Sequence, residues 1–145
     1  MTQVAFHLGV ADKTLYTCRL VRKASRQGLR VRVVADDAEL SALDSALWTF
    51  EALEFLPHLR LSSGDRPAQS WAHTPIWLTQ AQTTWPDLLP APQVIINLDM
   101  NASPEEQGAE RIIELVSADP GEKQAARKRW RHYKSMGWEC QHHEV

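Results

Sequence analysis

The sequence predicts an α/β fold in which a mainly parallel central sheet is flanked by helices in a three-layer-like arrangement. Two observations predict it. Short apolar runs alternate with amphipathic segments in the order strand, helix, strand, helix. Helical crossovers of this length join parallel strands and are right-handed. A chain of 145 residues is the usual size of one domain, so we expect a single domain over residues 1–145.

The first strand–helix pair is marked by its boundary residues. The apolar run Val4–Leu8 predicts a strand, and Gly9 ends it. Asp12 is suited to cap a helix that runs to about Gln27, and Gly28 is suited to the position just beyond its end. One side of this helix is expected to be buried, with the residues Leu15, Cys18, Val21 and Ala24.

The second pair follows directly. Arg30–Ala35 is rich in β-branched residues and has no helical period, which predicts a strand. Asp36 or Asp37 then caps a second helix. Its predicted buried stripe consists of Leu40, Leu43, Leu47 and Trp48.

The remaining elements are less regular. Arg60–Pro92 contains many Pro, Ser, Thr and Gln residues, so we expect loops around one short strand near Ile76–Leu78. Its three tryptophans indicate that this segment packs on the domain. Gln93–Leu98 and Arg111–Val116 are predicted to be buried strands.

The last helix has the clearest start in the chain. Asp119 is a suitable N-cap, Pro120 stands at the first helical position, and Gly137 offers an end before a short tail. This segment, Asp119–Trp138, holds six of the sixteen Lys and Arg residues, although the whole chain has a net charge of -2.

The overall composition excludes several classes of protein. A pI of about 6.3 argues against a grip on nucleic acid by the whole molecule. Two cysteines, Cys18 and Cys140, are too few for a disulfide scaffold and lack the spacing of a zinc site. The sequence shows neither a signal peptide nor a long apolar segment, so we expect no membrane association and a cytoplasmic location.

No stretch of the sequence forms a convincing catalytic or cofactor site. Gly9 with Lys13 and Thr14 has the wrong spacing for a phosphate-binding loop, because a second glycine is missing. The six histidines show no metal-binding pattern, and helix capping explains Asp36 and Asp37 better than Mg²⁺ does. Asp99 follows a strand without catalytic partners and is better explained as a turn residue. We therefore expect no catalysis, no cofactor and no metal.

The last helix instead carries a basic and aromatic face. At about 100° per residue, five side chains fall on one face that is about 100° wide. They are Lys123, Arg127, Trp130, Arg131 and Lys134. Ala125, Ala126, Tyr133 and Met136 point towards the sheet, with Arg129 among them. Charge runs are usually solvated helix faces, but this face has no acid, and an exposed Trp is typical of a binding site.

Two ligand classes fit this face. An acidic peptide that ends in an apolar or aromatic residue could pair with the cations and pack beside the indole. Single-stranded nucleic acid could stack its bases and pair its phosphates with the same groups. A nucleotide-dependent enzyme on the α/β scaffold is a third possibility, which the missing glycine loop disfavours.

The order and spacing of several segments identify a family. The chain resembles the chi subunits of bacterial DNA polymerase III over essentially its whole length. The shared segments are VAFHL in the first strand, RVRVVADD in the second, LDxALW in the second helix, FLPH after it, and KQxARxRWRxYKxxGW near the end.

The resemblance implies a fold and a set of partners. Chi proteins are non-catalytic and resemble nucleotide-binding α/β domains that lack the phosphate loop. They form a heterodimer with the psi subunit, which tethers them to the clamp loader. They also bind the acidic C-terminal tail of single-stranded DNA-binding protein, so their contact with DNA is indirect.

Site residues also follow from the resemblance. Lys123, Arg127, Trp130 and Arg131 match the family's tail-binding positions. Phe55 and Val116 match positions at the surface used by psi and by a helicase that competes with psi. From the residues alone, Phe55 would be assigned to the core. The segment Arg60–Pro92 and the tail depart from better-known members, so the sequence leaves open whether a psi partner exists.

Overall fold

The computed structural model describes residues 2–50, 56–66, 68–104 and 109–145. Within those residues, the chain forms seven strands, three α-helices and one 3-10 helix. In chain order they are β1 (Gln3–Leu8), α1 (Lys13–Arg26), β2 (Val31–Val34), α2 (Asp37–Thr49), β3 (His58–Leu61), the 3-10 helix (Gln69–His73), β4 (Ile76–Thr79), β5 (Val94–Asn97), β6 (Arg111–Val116), α3 (Pro120–Ser135) and β7 (Glu139–Glu144).

The strands form one sheet in the order β3-β4-β2-β5-β6-β1-β7. Every pairing between these described strands is parallel. Helices α1 and α2 pack on one face of the sheet, and α3 packs on the other. The predicted α/β class and its three layers are therefore confirmed.

The helix boundaries follow from capping. The side chains of Asp12, Asp36 and Asp119 each accept a hydrogen bond from the backbone amide three residues further on. These bonds satisfy amides that have no partner inside the helix. Gly137 adopts a φ of 79°, which glycine reaches without strain, and it turns the chain from α3 towards β7.

The segment Arg60–Pro92 is more ordered than expected. Besides β4, it contains the second half of β3 and the whole 3-10 helix. Its three tryptophans form a small apolar cluster on the sheet, as predicted, in which Trp77 lies 6.2 Å from Trp71 and 6.0 Å from Trp85 between ring centroids. The prediction of one strand was wrong because His58–Leu61 is too short and too polar to show a clear period.

A buried arginine secures the same segment. Arg32 on the central strand β2 is 1% exposed. Its Nε donates to Thr79 Oγ1 at 2.7 Å, and its Nη2 donates to the carbonyl oxygen of Thr83 at 2.8 Å. Its guanidinium carbon also lies 5.5 Å from the centroid of the Trp85 ring. These bonds hold the loop after β4 against the sheet.

Three apolar residues that were predicted to be buried or to face the sheet are exposed. Met136 is 36% exposed, because it lies just beyond the last residue of α3. Leu15 is 37% exposed, since it lies about 120° around α1 from the buried Val21. Trp48 is 55% exposed, because it lies about 100° around α2 from Leu47. Its ring packs on His58 at 4.8 Å between centroids.

The predicted short tail is also an element of the sheet. Residues Glu139–Glu144 form β7, which pairs with β1 over its full length, so that Phe6 lies opposite His142 and Leu8 opposite Glu144. The backbone amide of Val145 continues the pairing by donating to the carbonyl oxygen of Leu8 at 2.9 Å. His142 and His143 are therefore strand residues.

Candidate functional site

A groove of about 530 Å³ lies between α3 and β7, above the carboxyl end of β1. Helix α3 supplies one wall, β1 supplies the floor and β7 supplies the other wall. The residues that line the groove are Phe6, Leu8, Lys123, Ala126, Arg127, Trp130, Arg131, His142 and Glu144.

The groove brings together four of the five residues predicted on the basic face of α3, whereas Lys134 is not among the residues that line it. Lys123, Arg127, Trp130 and Arg131 all line it, and the three cations are exposed. In the part of the chain that the structure describes, no carboxylate forms an ion pair with any of these three cations. Their charges are therefore available to an anionic ligand.

Trp130 forms the aromatic wall of the groove. Its ring is partly buried and packs on Phe6, with 5.3 Å between centroids and 53° between planes. His142 approaches it from β7 at 6.0 Å, and the Nζ of Lys134 lies 5.7 Å from its centroid. Trp130 is thus neither sealed in the interior nor free in solvent, and part of its surface can contact a ligand.

A buried polar network fixes α3 below the groove. Glu114 on β6 accepts from Tyr133 Oη at 2.6 Å and from Asn97 Nδ2 at 2.7 Å. Arg129 Nε lies 3.2 Å from Glu114 Oε1, close enough for an ion pair although not aligned as a hydrogen bond. Arg129 Nη1 donates to the carbonyl oxygen of Met100 at 2.6 Å.

Burial dominates the ionisation of this network. It raises the pKa of Glu114 to about 7, although Arg129, Tyr133 and Asn97 each lower it. Arg129 was predicted to face the sheet, and its 5% exposure confirms this. Since Arg129 and Tyr133 both belong to α3, the network sets the rotation of the helix that presents Arg127, Trp130 and Arg131.

The start of α3 is tied to α1. Lys13 forms an ion pair with Glu122, and Ser117 donates a hydrogen bond to the same carboxylate. Burial raises the pKa of Glu122, but the hydrogen bonds from Lys13 and Ser117 and the positive charge of Lys13 together hold the pKa below its ordinary value. Lys13 is therefore engaged in helix packing, which agrees with the prediction that the Gly9–Thr14 segment is an ordinary turn.

The sequence did not reveal the second wall of the groove. His142 and Glu144 lie on an exposed edge strand, whose polar side chains show no apolar alternation. One signal in the sequence favoured a strand here. Gly137 predicts a turn after α3, and the eight residues that follow are enough for the chain to return to the sheet.

Of the two positions assigned to the psi surface, the structure describes Val116. Phe55 lies outside the described residues, so its predicted role is untested. Val116 is the last residue of β6 and is 1% exposed, packed in the core on the α3 face of the sheet. A partner could therefore depend on Val116 only through the residues that cover it.

Other candidate sites are explained by local structure. Asp36 caps α2, and Asp99 accepts a hydrogen bond from the amide of Asn101 at 2.9 Å, as expected of a turn residue. The described residues contain no group of three or more His, Cys, Asp or Glu residues that could hold a metal ion. No described helix is long and apolar enough to cross a membrane.

Solved structures with the same fold include C-terminal domains of Dbp5. The C-terminal domain of the DEAD-box protein Dbp5 superposes with a TM-score of 0.64 at 15% identity, over 99% of this chain and 90% of that one. The Saccharomyces cerevisiae Dbp5 C-terminal domain bound to Gle1 and IP6 gives a TM-score of 0.59 at 12% identity, with the same coverage. At these identities the similarity concerns the fold alone.

Sequence comparison gives a closer relationship. Residues 1–141 match the family described as DNA polymerase III chi subunit, HolC. The DNA polymerase III subunit chi of Pseudomonas aeruginosa is 35% identical over 150 residues, which cover 100% of this chain and 98% of that protein. The chain therefore belongs to the family of DNA polymerase III chi subunits, which have an accessory role in replication.

Proposed function

We propose that this protein is a non-catalytic accessory subunit of the DNA polymerase III clamp loader. It links the loader, through psi, to single-stranded DNA-binding protein by binding that protein's acidic C-terminal tail. The observation that carries the proposal is the groove between α3 and β7, where three cations without an ion-pair partner among the described residues line the α3 wall beside an apolar floor.

The cations explain the preference for an acidic chain. Arg127 and Arg131 are one helical turn apart on α3, and Lys123 lies one turn before Arg127. Guanidinium groups form paired hydrogen bonds with carboxylates, and such charge-assisted bonds are stronger than neutral ones. The row can thus hold the terminal carboxylate and the acidic side chains of the tail.

The floor explains the preference for an apolar last residue. Phe6, Leu8, Ala126 and Trp130 line the groove between the two walls. A terminal aromatic ring placed here loses water-exposed apolar surface and packs beside the indole. The apolar contact and the ion pairs together favour the end of a chain over an internal acidic segment.

The expected affinity is modest, since the contact area of a few residues is small. A dissociation constant around 1 μM corresponds to about -8 kcal/mol. Many tails on one coated strand of DNA would raise the effective concentration of the ligand. Because each tail binds weakly, the protein can exchange one tail for another while it stays bound to the coated DNA strand.

The proposed binding is tested with a peptide that matches the acidic tail. We expect roughly micromolar binding by calorimetry, weaker at high salt because exposed ion pairs are screened. Deleting the last aromatic residue should reduce affinity at least tenfold, as expected from the loss of a large apolar contact. A naked oligonucleotide is the matched competitor. If it binds and the peptide does not, the protein is instead a single-stranded nucleic-acid-binding module.

The link to psi rests on Phe55 and on the family resemblance. A helicase is proposed to compete with psi for the same surface. We expect Phe55→Ala to reduce co-purification with psi. The affinity for the tail peptide should stay within about twofold of the native value, because substitutions at independent sites have separate effects on binding free energy. Equal recovery of psi with the variant and the native protein would remove Phe55 from this interface.

A further inference from the structure

Among the described residues that line the groove, one side chain is acidic, that of Glu144. Strand β7 alternates its side chains between the two faces of the sheet. Cys140, His142 and Glu144 face α3, where Cys140 packs on the core and His142 meets Trp130. His143 faces the other side, where its ring lies 5.8 Å from that of His7.

The carboxylate of Glu144 lies against the turn after β1. A Cβ atom added to Gly9 would lie 3.4 Å from Glu144 Oε2, which places the carboxylate beside that glycine. No cation among the described residues lies within ion-pair distance of it. Its negative charge therefore faces the groove without a paired cation, although the groove binds through positive charge.

The groove is consequently polarised along its length. Leu8 pairs with Glu144 and Phe6 with His142, so the acidic corner is at the carboxyl end of β1 and the aromatic part lies further back. Like charges within several ångströms repel measurably at a protein surface, and this repulsion is screened by salt.

We propose that Glu144 is a specificity-determining residue of this groove. It repels carboxylates from the corner formed by Leu8 and Gly9, and so directs the acidic groups of a bound peptide towards Arg127 and Arg131. The inference rests on the proposed tail binding. It adds that repulsion by Glu144 lowers the affinity of the protein for the acidic tail.

The test is Glu144→Gln in the full chain. We expect the variant to bind the acidic tail peptide about three- to tenfold more tightly at low salt, because a repulsive charge is lost. The ratio of the affinity of the variant to that of the native protein should approach one in about 0.5 M salt. Glu139→Gln is the matched control, since it removes the same charge from the same strand on the opposite face. Its affinity should equal that of the native protein.

A second measurement locates the repulsion. Each acidic residue of the peptide is replaced in turn by its amide, and each peptide is titrated against the native protein and Glu144→Gln. At least one peptide carboxylate should couple to Glu144 by threefold or more. The acidic residue with the largest coupling is the one nearest the Leu8 corner.

The outcomes separate the two proposals. If the native protein binds the peptide but Glu144→Gln and Glu139→Gln bind it equally, the role of Glu144 is wrong and the tail site stands. Weaker binding by Glu144→Gln would likewise overturn it. If the native protein binds no acidic peptide, both the tail site and this inference fail.

Discussion

Replacing Arg127 with alanine is expected to weaken binding of the acidic tail peptide at least tenfold without changing the stability of the fold. Arg127 lines the groove, is exposed and has no ion-pair partner among the described residues. Hydrogen bonds to charged groups contribute about 1.5–3 kcal/mol, so the loss of one bidentate contact corresponds to about tenfold or more. Calorimetry with the peptide measures the affinity, and thermal unfolding measures the stability.

The neighbouring residue provides the control. Lys128→Ala removes the same charge from the same helix, but Lys128 lies beside a different pocket, formed with Met100, Asn101 and Arg129. Its effect on peptide affinity should stay below about twofold, since the substitution changes the long-range electrostatic potential around the helix and removes no direct contact. Similar losses for both variants would mean that the helix attracts the peptide by net charge, without a defined site.

Replacing Arg129 with methionine is expected to destabilise the protein by about 3–5 kcal/mol. Above about pH 7, where Glu114 is ionised, it forms a buried ion pair with Arg129, and removing Arg129 there leaves that carboxylate without compensation. Urea unfolding measures the difference. Lys128→Met is the control, as it changes the adjacent exposed residue on the same helix and should shift stability by less than about 0.5 kcal/mol.

The pH dependence of the Arg129→Met variant has a definite sign. Burial raises the pKa of Glu114 to about 7, above the ordinary value of 4.5, so the folded protein holds this proton more tightly than the unfolded chain. The resulting stability is fully present below pH 4.5 and is lost as the pH rises through about 7.

Loss of Arg129 removes an influence that lowers this pKa, so the folded pKa rises further. The stability of the variant then continues to fall with rising pH at pH values where the stability of the native protein no longer changes. The difference in stability between the two proteins should therefore widen as the pH rises above about 7. Adding Glu114→Gln to the variant should abolish that widening. A gap that is constant with pH would show that Glu114 is not the group responsible.

The helices and their ends could be predicted from the chain itself. Asp12, Asp36 and Asp119 cap their helices as expected, because a cap depends on residues only three positions apart. Most central strands were also predictable, since strands buried on both faces are continuous apolar runs. The basic face of α3 followed from helical periodicity alone.

The edges of the sheet could not be predicted in the same way. β7 consists of polar residues, and β3 is four residues long with a mixed pattern. Neither shows a period that distinguishes it from a loop. Each is a strand because it pairs with a distant segment, β1 in one case and β4 in the other. Trp48 was misassigned because burial depends on where α2 meets the sheet.

The sequence by itself determined the helix α3, its caps and the row of cations along it, because all of these depend on neighbouring residues and on the helical repeat. Only the tertiary structure decided that this row borders a groove. The floor comes from β1 and the second wall from β7, at opposite ends of the chain, and they meet α3 only through parallel strand pairing and packing on Phe6. Contacts between residues so far apart in the chain leave no local pattern in the sequence, so the presence of Glu144 and Arg127 in one groove appears only in the folded protein.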